Sequence, residues 1–402
     1  MAALFEDVED NIFRNRDVLT EDYQPEDIYN REGEIEKYEE TLQPVVKGQS
    51  PRDIITYGNT GVGKTVVTKH VLGELERVMK ERGQEDELHV VHHNCNSNTV
   101  FSVVRALVNE LRGPNEAEFP RRGLSVADAF DALYEKIDEM GGRFVFAFDE
   151  IDHVADSDTL LYELTRAKSV GNITNEESAI TVIGISNDLN FHNNLGAKVA
   201  GALKEREIVF EPYDALDLQK ILNKRATEAL FEDAYDEGVI QLCAAFGAQD
   251  KGDARQGIDI LREAGEIADR SGHAVITTAD VEAAKERVER GRVRKNMRTL
   301  TEQAKMVLTA TAYLDINDRT PARTDDIFDA YNTITEKITD FSQLTTKKSI
   351  NNHLNDLSMM GFLIKYERNE GRAGGTYNEY KCDYDAEAVI ETISDEFGID
   401  IE

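Results

Sequence analysis

The stretch DIITYGNTGVGKTVVTKHVL, residues 53–72, decides the fold of this chain. It contains the pattern GxxxxGK[ST] between Gly58 and Thr65, directly after a short β-branched run and directly before a helical one. The glycines allow a tight loop whose backbone N–H groups point at phosphate oxygens, and the positive end of the helix dipole adds to that field. A chance match is the alternative, but a strand–loop–helix setting is the context that the pattern requires. The stretch therefore predicts a nucleotide site in an α/β domain.

The residues of this loop have distinct predicted roles. We expect the Lys64 ammonium to reach the β- and γ-phosphates of a nucleotide, and the Thr65 hydroxyl to bind Mg²⁺. The predicted cofactors are therefore ATP or ADP and Mg²⁺. The whole loop is expected to surround the phosphates and consists of Gly58, Asn59, Thr60, Gly61, Val62, Gly63, Lys64 and Thr65.

Short apolar runs alternate with helical stretches between Asp53 and about Phe210. Continuous apolar strands separated by helices indicate a parallel sheet that is covered on both faces. The runs that we interpret as its strands are DIITYG, LHVVHHNC, FVFAFDEID, AITVIGISN and REIVFEPY.

Polar side chains stand where two of these strands end. FVFAFDEID delivers Asp149 and Glu150 to the carboxyl edge of the sheet, where parallel sheets bind their ligands. We expect Asp149 to hold Mg²⁺ and Glu150 to polarise the attacking water of an ATP hydrolysis. Asn187, after AITVIGIS, is positioned to orient that water or to touch the γ-phosphate. Ordinary polar strand ends are the alternative for all three residues.

The remainder of the chain contains a helical region and a second pattern. Strand signals disappear from residue 213 to about 290, which predicts an all-helical region. Arg255 opens one of its helices and could close on the γ-phosphate as part of a mobile lid; a surface arginine is the alternative. Two helical stretches after residue 300 precede TTKKSINNHLNDLSMMGFLIKY, residues 345–366, and two strands with a glycine-rich turn follow. Helix, helix, helix and hairpin is the order of a winged helix.

The third helix of this order has one apolar and one polar side. Ile350, Leu354 and Leu357 form a stripe that faces a core, and the polar residues lie away from it. Lysine and asparagine suit phosphate contacts and base-edge recognition, although a solvated face for protein contact is the alternative. The predicted DNA-binding residues on this helix and on the wing are Lys347, Lys348, Asn351, Asn352, Asn355, Arg368 and Arg372.

The composition limits the environment of the protein. The chain of 402 residues carries 78 Asp+Glu against 46 Lys+Arg, a formal net charge of -32, and the acids are spread along its length. Spread acidity indicates adaptation to high salt, and a generic acidic protein is the alternative. The apolar runs are too short to cross a bilayer and no signal peptide is recognisable, so a cytoplasmic protein without a membrane partner is expected. The three isolated cysteines predict free thiols.

Taken together, the motifs resemble an AAA+ ATPase of the initiator clade, and more closely the archaeal origin-recognition proteins. The resemblance covers nearly the whole chain and rests on ordered segments that include FVFAFDEID, ISNDLNF and GDARQGIDILREAGEIA around the P-loop. It implies an AAA+ domain over residues 1–212, a small all-helical lid over 213–290 and a winged-helix domain over 300–402. The spread acidity points to a haloarchaeal member.

The resemblance also implies roles for individual residues. Lys64 and Thr65 match the Walker A residues, Asp149 and Glu150 Walker B, and Asn187 and Arg255 the two sensors. A helical insertion between the second and third strands would offer arginines to DNA. The lead-in segment before the phosphate loop would lie against the adenine, and two further residues after the sheet would also bind the nucleotide. The residues so assigned are Arg121 and Arg122 for DNA, and Ile28, Tyr29, Arg31, Tyr213 and Arg225 for the nucleotide.

One position departs from the pattern. Some eukaryotic relatives carry an arginine that acts in trans where this chain has Ala202, and the neighbouring Lys198 and Arg206 are weak substitutes. A slow ATPase that acts as a switch is therefore expected instead of a fast motor. The implied function is a nucleoid-associated replication initiator that binds double-stranded origin DNA, helps to load the replicative helicase and works with paralogous initiators. An ATP-switched transcription regulator and an ATPase of plasmid or mobile DNA are the alternatives.

Overall fold

The computed structural model describes residues 11–96, 98–189, 191, 195–196, 199, 206–339, 341–369 and 376–401. They form two compact units, of which the first ends at Thr278 and the second begins at Ala279. Of the residues described, no helix is long and apolar enough to cross a membrane.

The first unit is built around a parallel sheet of five strands in the order β2-β3-β4-β1-β5. The five apolar runs of the sequence all form strands, so the predicted parallel sheet is confirmed. The strands are β1 Ile54–Gly58, β2 Leu88–Asn94, β3 Arg143–Asp149, β4 Ala179–Ser186 and β5 Arg206–Phe210.

Helices cover both faces of this sheet. Alternate residues of β3 show the division, because Val145 and Ala147 pack into one core while Phe144, Phe146 and Phe148 pack into the other. The first core includes side chains of α1 and α2, and the second includes side chains of α3, α4 and α5. These helices are α1 Glu32–Val46, α2 Lys64–Glu81, α3 Val100–Glu110, α4 Val126–Met140 and α5 Ser157–Arg166. Because all five strands are parallel, their carboxyl ends meet at one edge.

Three helices follow the sheet and form the lid, as the sequence predicts. They are α6 Ala215–Ala229, α7 Val239–Gln249 and α8 Ala254–Arg270. The N-terminal segment packs on them: the Arg14 N–H donates to the Ala229 carbonyl at 2.8 Å, and the Phe13 ring lies against Gly265 of α8. The next helix, α9 Thr278–Met297, is continuous, and the two compact units divide at its first residues. The domain limits at 290 and 300 remain predictions.

The second unit contains a winged helix, as expected. Its core joins the three helices of the predicted order to the hairpin, and Ile350, Leu354 and Leu357 are fully buried in it. The strands pair in the order β6-β8-β7. The elements are α10 Glu302–Ile316, β6 Ala322–Arg323, α11 Thr324–Thr335, α12 Lys347–Met359, β7 Leu363–Asn369, β8 Thr376–Cys382 and α13 Ala386–Phe397.

Helix α13 is absent from the sequence prediction. It lies in the acidic C-terminal segment, but it buries Val389 and Ile393 in the core of the second unit. Its acids pair with bases of the same unit: Glu391 lies 3.0 Å from Arg290, and Glu396 lies 2.6 Å from Lys305. The C-terminal acidity is therefore partly neutralised inside a folded element.

Candidate functional site

Lys64 is the first residue of α2 and lies under the loop that joins β1 to this helix. Its side chain is buried, and its Nζ donates to the carbonyl oxygens of Gly58 at 2.8 Å and Asn59 at 2.7 Å. The third hydrogen bond of the ammonium goes to Asn187 Oδ1 at 2.8 Å. All three donors of a buried cation are thus held by neutral oxygens.

Burial destabilises the charged form of the Lys64 side chain. Burial lowers the pKa of the ammonium to about 8; Asp149 opposes this effect, and the positive charge of Arg255 adds to it. A buried cation without a full counter-charge favours an anionic ligand, because such a ligand restores the electrostatic energy that was lost with water. The loop therefore has the electrostatics of an anion site.

Thr65 and Asp149 meet beside this lysine. The Thr65 hydroxyl donates to Asp149 Oδ2 at 2.7 Å, across the gap between α2 and the end of β3. A hydroxyl and a carboxylate are the hard oxygen donors that Mg²⁺ prefers, and this ion commonly takes its other ligands from water and phosphate. Among the described residues no group of three or more His, Cys, Asp or Glu is placed to hold a metal by itself. The pair therefore fits a Mg²⁺ ion that is shared with a nucleotide.

Glu150 has an unusual conformation directly after β3. Its φ is +55°, a left-handed conformation that is uncommon for residues other than glycine. Its Oε2 is buried and has no hydrogen-bond partner among the described residues, and His153 Nδ1 lies 3.6 Å from it. Strain together with an unsatisfied acceptor is typical of functional positions. The strand end therefore presents a carboxylate that is available to a small polar molecule.

Asn187 follows β4 and completes the group at the sheet edge. Besides the contact of its Oδ1 with Lys64, its backbone N–H donates to Asp152 Oδ1 at 3.4 Å. The phosphate loop after β1 and the ends of β3 and β4 thus bring together four side chains, two predicted from the loop pattern and two from their positions at strand ends. They are Lys64, Thr65, Asp149 and Asn187.

Arg31 and Tyr213 form one side of the phosphate loop. The buried Arg31 guanidinium donates to the carbonyls of Val62 at 3.1 Å and Glu211 at 2.6 Å, and it lies 3.9 Å above the Tyr213 ring. The Tyr213 hydroxyl is close to Gly63, where a Cβ would be only 2.7 Å from it. Both residues therefore support the backbone of the loop. Ile28 packs against the core next to α1 and α2, and Tyr29 is half-buried; their role beside an adenine remains a prediction.

The two lid arginines lie in different surroundings. Arg255 is exposed in the first turn of α8, near enough to Lys64 to influence its pKa after the larger effects of burial and Asp149. Arg225 is buried in α6; it donates to the Val18 carbonyl at 2.9 Å and lies 4.4 Å from the Tyr23 ring centroid. Its described partners belong to the N-terminal segment and not to the phosphate loop, so its nucleotide role stays a prediction.

The predicted DNA-binding residues of α12 do not all face the same way. Lys348 and Asn352 are exposed, and Lys347 pairs with Asp325 at 2.8 Å. Asn351 and Asn355 are half-buried, and their Oδ1 atoms lie 3.5 and 3.4 Å from the Tyr380 hydroxyl. The two asparagines therefore turn partly towards the sheet.

The other predicted DNA contacts lie on loops and on the wing. Arg121 and Arg122 are exposed in the connection between α3 and α4. Arg368 of β7 is exposed and pairs with Glu379 at 3.0 Å, while Arg372 lies outside the described residues.

The position of a trans-acting arginine is only partly described. Lys198 and Ala202 lie outside the described residues. Arg206 opens β5 and donates to Glu40 Oε2 at 3.2 Å.

The sequence patterns do not single out every residue that contacts the loop. Asp253, directly before α8, packs against Gly61. Its signal was an aspartate before a helical pattern, which marks a helix N-terminus and does not by itself indicate contact with a distant loop.

Three family models match consecutive parts of the chain. An AAA ATPase domain matches residues 27–174, a Cdc6 AAA+ ATPase-type lid domain matches 219–286, and a CDC6 C-terminal winged helix domain matches 295–392.

Individual proteins are similar over nearly the full length. ORC1-type DNA replication protein 8 of Halobacterium salinarum is 43% identical over 96% of each chain. The ORC1-type DNA replication protein of Pyrococcus furiosus is 39% identical over 91% of this chain and 86% of its own. The structure of the Aeropyrum pernix ORC1 protein in complex with DNA superposes with a TM-score of 0.80 at 33% identity, covering 97% of this chain and 99% of that one.

Proposed function

The chain belongs to the family of ORC1-type DNA replication initiators, and from this membership we propose that it binds origin DNA under the control of ATP and helps to load the replicative helicase. The proposed nucleotide binding is supported by the contacts at one edge of the sheet among four side chains, those of Lys64, Thr65, Asp149 and Asn187. Support for the DNA half comes from the winged helix and from the relative of known structure, which is in complex with DNA. Haloarchaeal relatives agree with the acid-rich composition.

The proposed nucleotide is ATP, which the AAA+ domain would hydrolyse to ADP. The loop N–H groups and Lys64 would hold the phosphates, while Thr65 and Asp149 would hold Mg²⁺, which neutralises phosphate charge when bound. Arg31 and Tyr213 would keep the loop in position beside the base. Glu150 would accept a proton from the attacking water that Asn187 orients.

Hydrolysis is proposed to be slow and to act as a switch. The described part of the chain provides one cationic side chain from the lid, Arg255, near the phosphate-binding lysine. An arginine that touches the terminal phosphate only in the ATP state would make the lid position depend on the nucleotide. The lid would thus hold one position while ATP is bound and leave it after hydrolysis.

Nucleotide affinity is expected to fall as the pH rises above about 8, the pKa to which burial lowers Lys64. Below this pH the ammonium is charged and ready to pair with phosphate, whereas above it binding must take up a proton, which weakens affinity by up to roughly tenfold per pH unit. Calorimetry in two buffers with different ionisation enthalpies measures this uptake. In a Lys64→Arg control the guanidinium stays charged, so the uptake should disappear. Equal uptake in both proteins would contradict the assignment.

DNA is proposed to contact the exposed start of α12, the wing and the connection between α3 and α4. The N-terminal half of α12 offers Lys348 and Asn352 to the groove, and Lys347 at its first residue. At molar salt the Debye length is about 3 Å, so the acids elsewhere on the chain repel the phosphates little. Base contacts and DNA shape would then supply much of the affinity.

Reversing Lys347 and Lys348 to glutamate should weaken binding to an origin fragment at least about tenfold and lower the salt dependence by about two ions, because two phosphate contacts are lost. Fluorescence anisotropy over a range of salt concentrations measures both quantities. ATP hydrolysis should be unchanged. Lys337→Glu is the matched control, since its Nζ bonds the Asp400 carbonyl beside the acidic C-terminal helix. An affinity and a salt dependence that are unaffected by the double reversal would exclude α12 as the DNA-reading helix.

Genome-wide occupancy of the tagged protein tests the proposed function as a whole. We expect the protein to be enriched at replication start sites of the nucleoid. The replicative helicase and paralogous initiators are the candidate partners at these sites. Occupancy confined to promoters would instead support a transcription regulator. Occupancy confined to plasmid or mobile DNA would support the third alternative.

A further inference from the structure

The loop that precedes α8 lies directly against the phosphate-binding loop. A Cβ atom at Gly61 would be 1.7 Å from Asp253 Oδ1, so the Asp253 carboxylate occupies the space where any other residue would carry its side chain. The Ala254 N–H also donates to the Gly61 carbonyl at 3.1 Å. Gly61 has a φ of +76°, so the backbone conformation and the close approach both require glycine. The lid therefore contacts the phosphate loop at one residue in two ways.

The same carboxylate holds the start of the lid helix. Asp253 Oδ1 accepts the backbone N–H of Arg255 at 2.8 Å and that of Gln256 at 3.4 Å, which caps α8. One side chain thus joins Gly61 to the backbone of Arg255. The direction in which the Arg255 side chain leaves the helix depends on this cap, because Arg255 lies in the first turn.

A second close contact fixes the loop from the other side. Gly252 has a φ of +71°, and a Cβ there would be 2.6 Å from the Tyr213 carbonyl oxygen and 2.7 Å from the Tyr213 nitrogen. The loop before α8 therefore lies against both the phosphate loop and the segment that connects β5 to α6. Asp253 is half-buried. Desolvation raises the pKa of its carboxyl group, and the hydrogen bonds from the backbone N–H groups of Arg255 and Gln256 oppose this shift.

We propose that Asp253 is a positioning residue that sets Arg255 relative to the phosphate loop and thereby lets the lid distinguish ATP from ADP. This inference rests on the proposed nucleotide function, in which Arg255 meets the terminal phosphate. Asp253 touches no reacting atom; it acts through the cap of α8 and through its contact with Gly61. Without the carboxylate, the cap of α8 and the side-chain contact with Gly61 are lost. The hydrogen bond from Ala254 to Gly61 then remains as the described link to the loop, and Arg255 is held less firmly.

The Asp253→Ala variant of the full-length chain tests this proposal. Its affinity for a non-hydrolysable ATP analogue should fall about tenfold, the effect of one lost charge-assisted hydrogen bond, while its affinity for ADP changes little. Calorimetry with Mg²⁺ present measures both affinities. Asp253→Asn keeps a capping side chain of the same size and should stay within about threefold of the wild type. If Asp253→Ala does not fold, Asp253→Gly gives the same comparison, because glycine at this position costs the helix little.

A double-mutant cycle separates positioning from a merely structural role. Arg255→Ala should lose the preference for the ATP analogue, and adding Asp253→Ala should reduce it no further, since both act through one contact. Asp214→Ala is the matched control: Asp214 caps α6 by accepting the Asp217 N–H at 2.8 Å, so its loss should lower Tm but leave the preference unchanged. If the effects of the two single substitutions multiply in the double mutant, the inference about Asp253 is wrong, whereas the proposed role of Arg255 stands. Wild-type preference in Arg255→Ala would overturn the proposed role of Arg255 and this inference with it.

Discussion

Replacing Lys64 with alanine is expected to weaken nucleotide binding strongly, raising the Kd for ATP and for ADP about a hundredfold. The Lys64 ammonium is buried and donates to Gly58, Asn59 and Asn187. A charge-assisted hydrogen bond to a phosphate contributes about 1.5–3 kcal/mol, and about 2.8 kcal/mol corresponds to a hundredfold change in Kd. Calorimetry with each nucleotide measures the loss.

The folded state should tolerate this substitution, which separates binding from folding. Alanine loses the three hydrogen bonds of Lys64, but it also removes the cost of burying the charge, which is the main cause of the lowered pKa of Lys64. We therefore expect a Tm close to that of the wild type in the absence of nucleotide. Lys80→Ala is the control, because Lys80 is exposed in the last turn of the same helix. If Lys64→Ala binds ATP within threefold of the wild type, the loop is not the nucleotide site.

The sheet edge could be predicted from sequence because parallel strands leave few choices. Continuous apolar runs such as FVFAFD are typical of strands that are buried on both faces. The helical stretches between these runs act as crossover connections, which make the strands parallel. Residues that directly follow β1, β3 and β4 must then lie at one edge. For this reason Asp149 and Asn187 could be predicted from their positions at strand ends, and Lys64 and Thr65 from the phosphate-loop pattern that follows β1. In the structure Lys64 bonds Asn187, and Thr65 bonds Asp149.

The orientation of α12 side chains could not be predicted in the same detail. Asn351 and Asn355 follow the buried residues Ile350 and Leu354, so they lie at the border of the apolar stripe, where helical periodicity alone does not distinguish core from solvent. The neighbouring sheet decides the outcome, because Tyr380 brings its hydroxyl to both amide oxygens. Contacts between elements that are distant in sequence determine such border positions.

The contact of Asp253 with Gly61 and the packing of α13 are also contacts between elements that are distant in sequence. Each has a local signal: Asp253 is a helix cap, and Val389 and Ile393 of α13 have helical spacing. The sequence shows that these features exist but not what lies opposite them. In α13 the dense acidic residues concealed a readable apolar spacing, since a charged segment is typical of a solvated tail.

Replacing Glu150 with glutamine is expected to slow ATP hydrolysis about 10²- to 10⁴-fold, the usual contribution of a general base, while ATP binding is retained. Glutamine has the size of glutamate but cannot take the proton of the attacking water, and it leaves the Thr65–Asp149 pair in place. Single-turnover hydrolysis and filter binding with labelled ATP measure the two effects, and the variant should accumulate in the ATP-bound state. The left-handed Glu150 backbone is unaffected by this exchange, so Tm should not change.

Glu135→Gln, at an exposed position of α4, is the control and should hydrolyse at the wild-type rate. Hydrolysis at that same rate in Glu150→Gln would show that another group activates the water, and that the strained carboxylate after β3 has a different task.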